Sequence, residues 1–395
     1  MRRILGVVIV GMVLAAVSTS GRMVPGMAEA AAAKPTVKIA FIGPLTGSNA
    51  SLGLGGENSF KLALMQRNED PQTKYRYEGV YLDDQCQPQA GVQAALKAGS
   101  DPDVIAAVAH YCSVVAIATV DTYHRLGLPA MVWGAVLPAV TYGNTYVEIT
   151  RVNGTQIQQN ATAARFDANT IHRKTFACLY DTTDYGRGHF QYFSEFAKKN
   201  GLQIVYSAGV APDRQDFSAE LARIKELHPQ VVWFGGLSAE GARIRNQMAQ
   251  IGLTALFQGT SGIKSEEYIK AAGPNAEGTL AFLEGAPIEQ LPGGAAFLAA
   301  YRKAGFTNPP EAYGPFAYVA ANLVVRAIEA VGPDRAKVAD YLKHKIKNVP
   351  SIIGPVTFDD HGQNVLATVT PYVVQDGTWV PWGQSEYARG KRTLP

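Results

Sequence analysis

Val104-Ile-Ala-Ala-Val-Ala109, followed by His110-Tyr-Cys-Ser113 and then by Val114 to Leu126, is the stretch that decides the fold class. Six consecutive apolar residues without polar alternation, too few for a helix, read as a strand buried on both faces. The next four residues turn the chain, and Val114 to Leu126 reads as a helix. Gly127-Leu-Pro129 stops that helix, and Ala130 to Trp133 is again an apolar strand. Strand, crossover helix and strand form the unit of a parallel sheet covered by helices on both sides.

The same rhythm extends outward in both directions. Upstream, Val37 to Ile42 reads as a strand ending at Gly43-Pro44, followed by a glycine-rich loop and a helix from about Leu54 to Arg67. Tyr77 to Leu82 is a strand ended by Asp83-Asp84, and Pro88 to Ala98 a helix with proline in its first turn. The rhythm restarts after Arg151-Val-Asn-Gly154. It predicts helices at Gln156–Asn169, Gly186–Lys199 and Ala239–Ile251, and strands at Thr175–Tyr180, Gln203–Ser207 and Val231–Phe234. Asp216-Phe-Ser218 supplies oxygens to cap a further helix that runs to Leu227. Two α/β units meeting near residues 150–155 make two lobes. The last third offers helices at Gly293–Ala304, Phe316–Val331 and Asp334–Lys345, and a strand at Val365–Gln375 ending in Asp376-Gly377. These are too few strands for a third sheet, so the tail completes both lobes and the chain crosses between them more than once.

The N-terminus has the layout of a secretory leader. Arg2 and Arg3 precede an apolar run from Ile4 to Val17, and small residues at Ala28-Glu-Ala30 offer a cleavage site. The run is shorter than the ~20 residues of a membrane span, which disfavours an anchor. No cysteine lies near the cleavage region to carry a lipid. No later stretch reads as a span, so the mature chain is expected to be soluble and exported. About 365 residues then remain, enough for two domains. Cleavage after Ala30 removes three arginines and one glutamate and takes the net charge from +3 to +1. So balanced a charge carries no signature of binding nucleic acid or an anionic membrane. Of three cysteines, Cys86 and Cys112 both follow predicted strands, where neighbouring strand ends lie close, and are expected to pair. Cys178, inside Thr175–Tyr180, reads as a small buried hydrophobe. No cysteine or histidine cluster suggests a metal, and nothing calls for a cofactor.

In open parallel sheets ligands bind beyond the carboxyl ends of the strands. Three loops of the first lobe qualify: Gly43 to Gly56, His110 to Ser113, and Trp133-Gly134-Ala135-Val136. The helix opening near Val114 presents free N–H groups and a positive dipole end, which suit a carboxylate, and Ser113 adds a hydroxyl. Ser113 could also be no more than a helix cap. The second lobe offers Asp181 to Gly186, Phe234 to Ser238 and Gly259 to Gly262. Enzyme motifs fail on spacing. Gly53-Leu-Gly55-Gly-Glu-Asn58 lacks the third glycine of a dinucleotide fingerprint, and there is no P-loop, HExxH or GxSxG. Asp83-Asp84 reads as loop hydrogen bonding rather than acid–base or metal chemistry.

The chain resembles the branched-chain amino-acid-binding proteins, the Leu/Ile/Val type of periplasmic solute receptor. The matching stretches are Val37–Gly43, Asp83-Asp-Gln-Cys86, His110-Tyr-Cys-Ser113, Asp184-Tyr-Gly-Arg-Gly188, Asp216-Phe-Ser218, Gly259-Thr-Ser-Gly262, Ala276-Glu-Gly278 and Gly354-Pro355. They run in order from about residue 36 to 360. The resemblance implies two Rossmann-like lobes with parallel sheets, joined by three crossovers and closing on a ligand. The leader would occupy 1–30, lobe 1 would comprise 36–153 plus 284–358, and lobe 2 would comprise 154–283 plus 359–395. It also implies a monomer in the periplasm that serves a permease of an ABC importer in the inner membrane, without catalysis, and it places the family's disulfide at Cys86 and Cys112.

The departures bear on the ligand. The family's carboxylate anchors fall at Ser113, which is kept, and at Val136, where a threonine hydroxyl is lost, while the Gly134 backbone matches a contact position. The acid that pairs with the ligand's α-ammonium aligns with Ser261. Pocket tyrosines align with Leu52, Leu237 and Phe316, and Tyr185 is kept. Trp133, Tyr185, Phe316 and Tyr111 would line an apolar slot. A buried ammonium without a carboxylate is costly, so the pattern suits a hydrophobic or aromatic carboxylate lacking an amino group. An amino acid requires Asp184 or another acid to take its charge. A ligand sensor of the same fold is an alternative, and a hydrolase the least favoured one.

Overall fold

Strands that are apolar on both faces need helices above and below them. The chain supplies these by alternation. The computed structural model describes residues 34–365 and 368–395, so the leader read at 1–30 lies outside the described residues. β1 (Thr36–Gly43), β2 (Arg76–Asp83), β3 (Val104–Ala109), β4 (Ala130–Val132) and β5 (Ile149–Arg151) form one sheet in the order β2-β1-β3-β4-β5. All of its pairs are parallel. β6 (Thr175–Asp181), β7 (Gln203–Val210), β8 (Val231–Gly235), β9 (Leu256–Gly259), β10 (Leu280–Glu284), β11 (Val369–Gln375) and β12 (Thr378–Pro381) form the second, in the order β12-β11-β10-β9-β8-β6-β7. Only β11 is reversed in it, pairing antiparallel with β10 on one side and β12 on the other.

The first sheet is covered on one face by α1 (Ala50–Glu69), α11 (Gly314–Val331) and α12 (Arg335–Lys345), whose Phe60, Val319, Ala320 and Leu342 pack with Ile39, Phe41 and Val108. Its other face carries α2 (Pro88–Ser100) and α3 (Ser113–Leu126), which bury Ala94, Ala95 and Val120 against Ala40 and Ile42. Between α3 and the next lobe comes the single turn α4 (Ala139–Tyr142). On the second sheet, α5 (Gln156–Asn169) and α6 (Asp184–Lys199) cover one face. α7 (Ser218–Glu226), α8 (Ser238–Gln250) and α9 (Glu266–Ala272) cover the other. α10 (Gly294–Lys303) joins Leu62 of α1 through Phe297 and Tyr301. The chain passes between the sheets after β5, after β10 and before β11.

Three expectations change. The glycines read as a flexible loop lie inside α1, which begins at Ala50. A Cβ on Gly53 would fall 1.8 Å from the Pro44 carbonyl oxygen and one on Gly56 2.6 Å from the Trp133 ring, so these glycines let the helix approach its neighbours. The last strand starts at Val369 rather than Val365, and the turn at Asp376-Gly377 folds β12 back onto it. α11 does have the length and hydropathy of a membrane span, but two thirds of it is buried as the core helix of the first lobe.

Cys86 and Cys112 are bonded, with Cα atoms 5.4 Å apart, and Cys178 is free and buried. The bridge ties the carboxyl end of β2 to that of β3. Mass spectrometry of a non-reduced digest should therefore yield the Cys86–Cys112 peptide and Cys178 as a thiol. Removing the bridge should cost ~3 kcal/mol by the chain-entropy account. A peptide linking Cys178 to either partner would contradict the assignment.

Where the chain first leaves the first sheet, Arg151 is wholly buried. Its guanidinium donates to the carbonyls of Ala135 (3.1 Å) and Leu137 (2.7 Å), to Gln363 Oε1 (2.6 Å) and to Thr141 Oγ1 (2.9 Å). No carboxylate is among these partners, and burial lowers its pKa to about 10. Gln363 in turn donates to the Asn153 carbonyl (2.7 Å), which knits the first crossover to the third.

Candidate functional site

Each sheet has a point where its strand order reverses, and there the loops leave in opposite directions and open a crevice. In the first sheet this lies between β1 and β3, and in the second between β6 and β8. The two crevices share one cavity of about 400 Å³. Thr46 and Asn49 after β1 and Tyr111 and Ser113 after β3 line it from one lobe; Asp181 and Tyr185 after β6 and Leu237 after β8 line it from the other.

Five helices start from residues that line this cavity, α1 from Asn49, α2 from Gln87, α3 from Cys112, α6 from Thr183 and α8 from Leu237, and they are not equivalent. α6 has Asp184 in its first turn and Thr183 as a side-chain cap, and α8 has Glu240 in its first turn. α1, α2 and α3 have neither an acid in the first turn nor a side-chain cap. The N–H groups of Ser113 and Val114, both at the cavity, are too early in the helix to find an intrahelical acceptor. Ser113 is 1% exposed, and its Oγ accepts the N–H groups of Val136 (3.1 Å) and Leu137 (3.2 Å). With both accepting positions filled, the hydroxyl proton is what it has left to give. That end of the cavity is a donor cluster with a positive dipole, suited to an anion.

The floor is a hydrogen-bonded chain. Gln159 Nε2 donates to Ser261 Oγ (3.0 Å), Ser261 lies 2.9 Å from the Tyr313 hydroxyl, and Tyr313 lies 2.7 Å from Glu284 Oε2. Glu284 is wholly buried, and burial pushes its carboxyl above the usual range. If the Tyr313 proton goes to Glu284 and the Ser261 proton to Tyr313, Ser261 offers a ligand a single lone pair and no charge. Tyr111 meets Tyr313 edge-on, with ring centroids 5.6 Å apart. Tyr185 is held by Thr260 Oγ1 (2.8 Å) and by the Gly262 N–H (3.0 Å), so its ring is a fixed wall.

Six of the residues read from the sequence therefore meet at the cavity: Tyr111, Ser113, Gly134, Tyr185, Leu237 and Ser261. Five lie behind it. Trp133 is fully buried against Phe41 and Tyr111, with its indole N–H on the Ile42 carbonyl, and so backs the wall instead of forming it. Val136 serves through its N–H, bonded to Ser113, and its side chain is 1% exposed. The Ala135 carbonyl is taken by Arg151 and Asn153. Leu52 is in the core on α1, and Phe316 packs on Tyr313 and opens to a different cavity beside Leu283 and Tyr372. The Gly134 N–H donates to the His110 carbonyl (3.2 Å), which leaves the donor role to Ser113 and Val114. Asp184 is exposed and does not line the cavity.

The sequence reading missed Tyr313, three positions before Phe316, and it missed the acids. Asp181, Asp213 and Glu240 line the second lobe's side, and none of the cavity-lining residues is a lysine, arginine or histidine. Burial raises the Asp181 pKa to about 6, helped by the charge of Glu240, and burial raises Glu240 as well. Asp181 is the last residue of β6 and opens a stretch already picked out as a loop; what marked it was its place at a strand end.

A family profile described as periplasmic binding protein matches residues 36–378. The leucine-, isoleucine-, valine-, threonine- and alanine-binding protein of Pseudomonas aeruginosa is 31% identical over 341 residues, which cover 86% of this chain and 90% of that one. A leucine-binding protein from Thermotoga maritima superposes with a TM-score of 0.80 at 25% identity, over 87% of this chain and 97% of its own. A solute-binding protein of an ABC transporter from R. palustris, solved with 4-hydroxybenzoate, shares the fold with a TM-score of 0.78 at 21% identity, over 88% and 95% of the two chains.

Proposed function

Because the chain belongs to the periplasmic binding proteins of the branched-chain amino-acid ABC transporter family, we propose that it is a solute receptor for a small carboxylate with a hydrophobic or aromatic body. The observation that carries this reading is the uncapped, acid-free N-terminus of α3, with the Ser113 proton free to donate beside it. The rings of Tyr111, Tyr185 and Tyr313, with Leu237, give the ligand body apolar surface. Both lobes contribute to the cavity, so a ligand bridging them favours the closed arrangement by the contacts it makes to each. Ser51 of the first lobe already meets Glu267 of the second (3.3 Å). In this reading the protein is exported as a monomer and delivers its ligand to the permease of an importer. No bond is made or broken.

Ser113→Ala should weaken binding of 4-methylpentanoate by ~1–2 kcal/mol, the worth of a charge-assisted hydrogen bond. Titration calorimetry of the exported form measures it, with circular dichroism to show an intact fold. Unchanged affinity would remove the carboxylate from this end of the cavity.

A further inference from the structure

We infer that the ligand carries a protonated nitrogen at the end remote from its carboxylate, received by Asp181 on the second lobe. This rests on the carboxylate reading of the α3 end and adds a second, opposite pole to it. Asp181 sits at the carboxyl end of β6, lines the cavity and is 5% exposed. Its Oδ1 takes the Thr183 N–H (2.9 Å) and hydroxyl, which fixes the carboxylate at the start of α6. It forms no ion pair among the described residues, although it is a nearly buried carboxylate.

Its neighbours make the same demand. Glu240, also at the cavity, takes the Asp213 N–H (3.1 Å) and one contact from Arg243 (3.3 Å). Asp213 adds a third carboxylate at the exposed rim. Against three acids stands one arginine, which points at Glu240 and does not line the cavity. The described residues contain no group of carboxylates and histidines placed to hold a metal ion. A ligand whose only charge is its carboxylate brings a fourth negative charge into this space. One that ends in an ammonium or guanidinium offsets the charges already present. An α-ammonium cannot serve both poles, because it stays beside the carboxylate and near Ser261 after β9, whereas Asp181 ends β6, two strands further along the second sheet and so about 10 Å away. The substrate class that fits is an acid with a basic group at the far end of a short apolar chain.

Calorimetry on the exported form should compare 5-aminovalerate with valerate, and 6-aminohexanoate with hexanoate. At least one amino acid of these pairs should bind ten-fold or more tightly than its parent acid, and Asp181→Asn, which can keep the Thr183 bonds, should bring that ratio close to one. Equal or tighter binding of the parent acids in both pairs overturns the inference, as does a preference that survives Asp181→Asn and Glu240→Gln. The two readings separate on Ser113→Ala. If that change weakens the parent acids while the distal amine adds nothing, the carboxylate site stands and the second pole falls. If none of the four compounds binds, both fall.

Discussion

Arg151→Met should destabilise the protein by about 3 kcal/mol, read as a lower urea midpoint at unchanged slope. The guanidinium is the donor for two carbonyls, Gln363 and Thr141, and of these acceptor residues Ala135, Thr141 and Gln363 are buried and Leu137 half-buried. Each acceptor left unpaired costs ~1–3 kcal/mol, and only part of that is returned by no longer burying a charge. Methionine keeps most of the volume, so the loss reports hydrogen bonding and not a cavity. Arg151→Lys should fall between, since an ammonium cannot reproduce the planar fork that serves four acceptors at once. Ligand affinity should drop as well. Arg151 fixes the carbonyls of Ala135 and Leu137, and the amides of Val136 and Leu137 on the same strip hold the Ser113 hydroxyl. A loss under ~1 kcal/mol would mean that the crossover relaxes around the missing donor.

4-Methylpentanoate should bind more tightly than leucine, by ~100-fold or more. The two differ by one ammonium, which would lie next to the carboxylate and therefore close to α3 and the floor. Ser261 stands there with both neighbours engaged, and an ion desolvated without a counter-charge costs several kcal/mol. Titrating both compounds side by side decides it, with phenylalanine and 3-phenylpropanoate as the aromatic pair. If leucine wins, the ammonium has found an acid. Asp184 is exposed away from the cavity, so Asp184→Asn should change nothing and Asp181→Asn should show whether the second lobe supplied it.

Much of this molecule could be read before it was folded. The helix at Gln156–Asn169 and the strand at Val104–Ala109 have the bounds expected from periodicity alone. Both are long or apolar enough for local pattern to settle them. β5, β10 and β12 were not read, because two of them have only three or four residues and all of them take their identity from the strand beside them. The site divides in the same way. Tyr111 and Ser113 were legible because a strand end followed by a helix start is a local feature. Trp133 and Phe316 looked equally promising as aromatics near strand or helix ends, and they were placed behind the wall because packing against Phe41 and Tyr313 consumed their faces.

By itself the sequence determined the alternation of strand and helix, the parallel sheets and the donor-rich start of α3, all of which depend on neighbours within about fifteen residues along the chain. Only the tertiary structure decided which of those features face one another. Strand order put the loops after β3 and β6 across a shared cavity, brought Tyr313 and Glu284 under Ser261, and left Asp181 and Glu240 on a wall with no base. The reason is physical. Hydrogen bonding and hydrophobic periodicity act along a segment, whereas the charge and shape of a cleft are sums over segments that meet only when the sheets have formed.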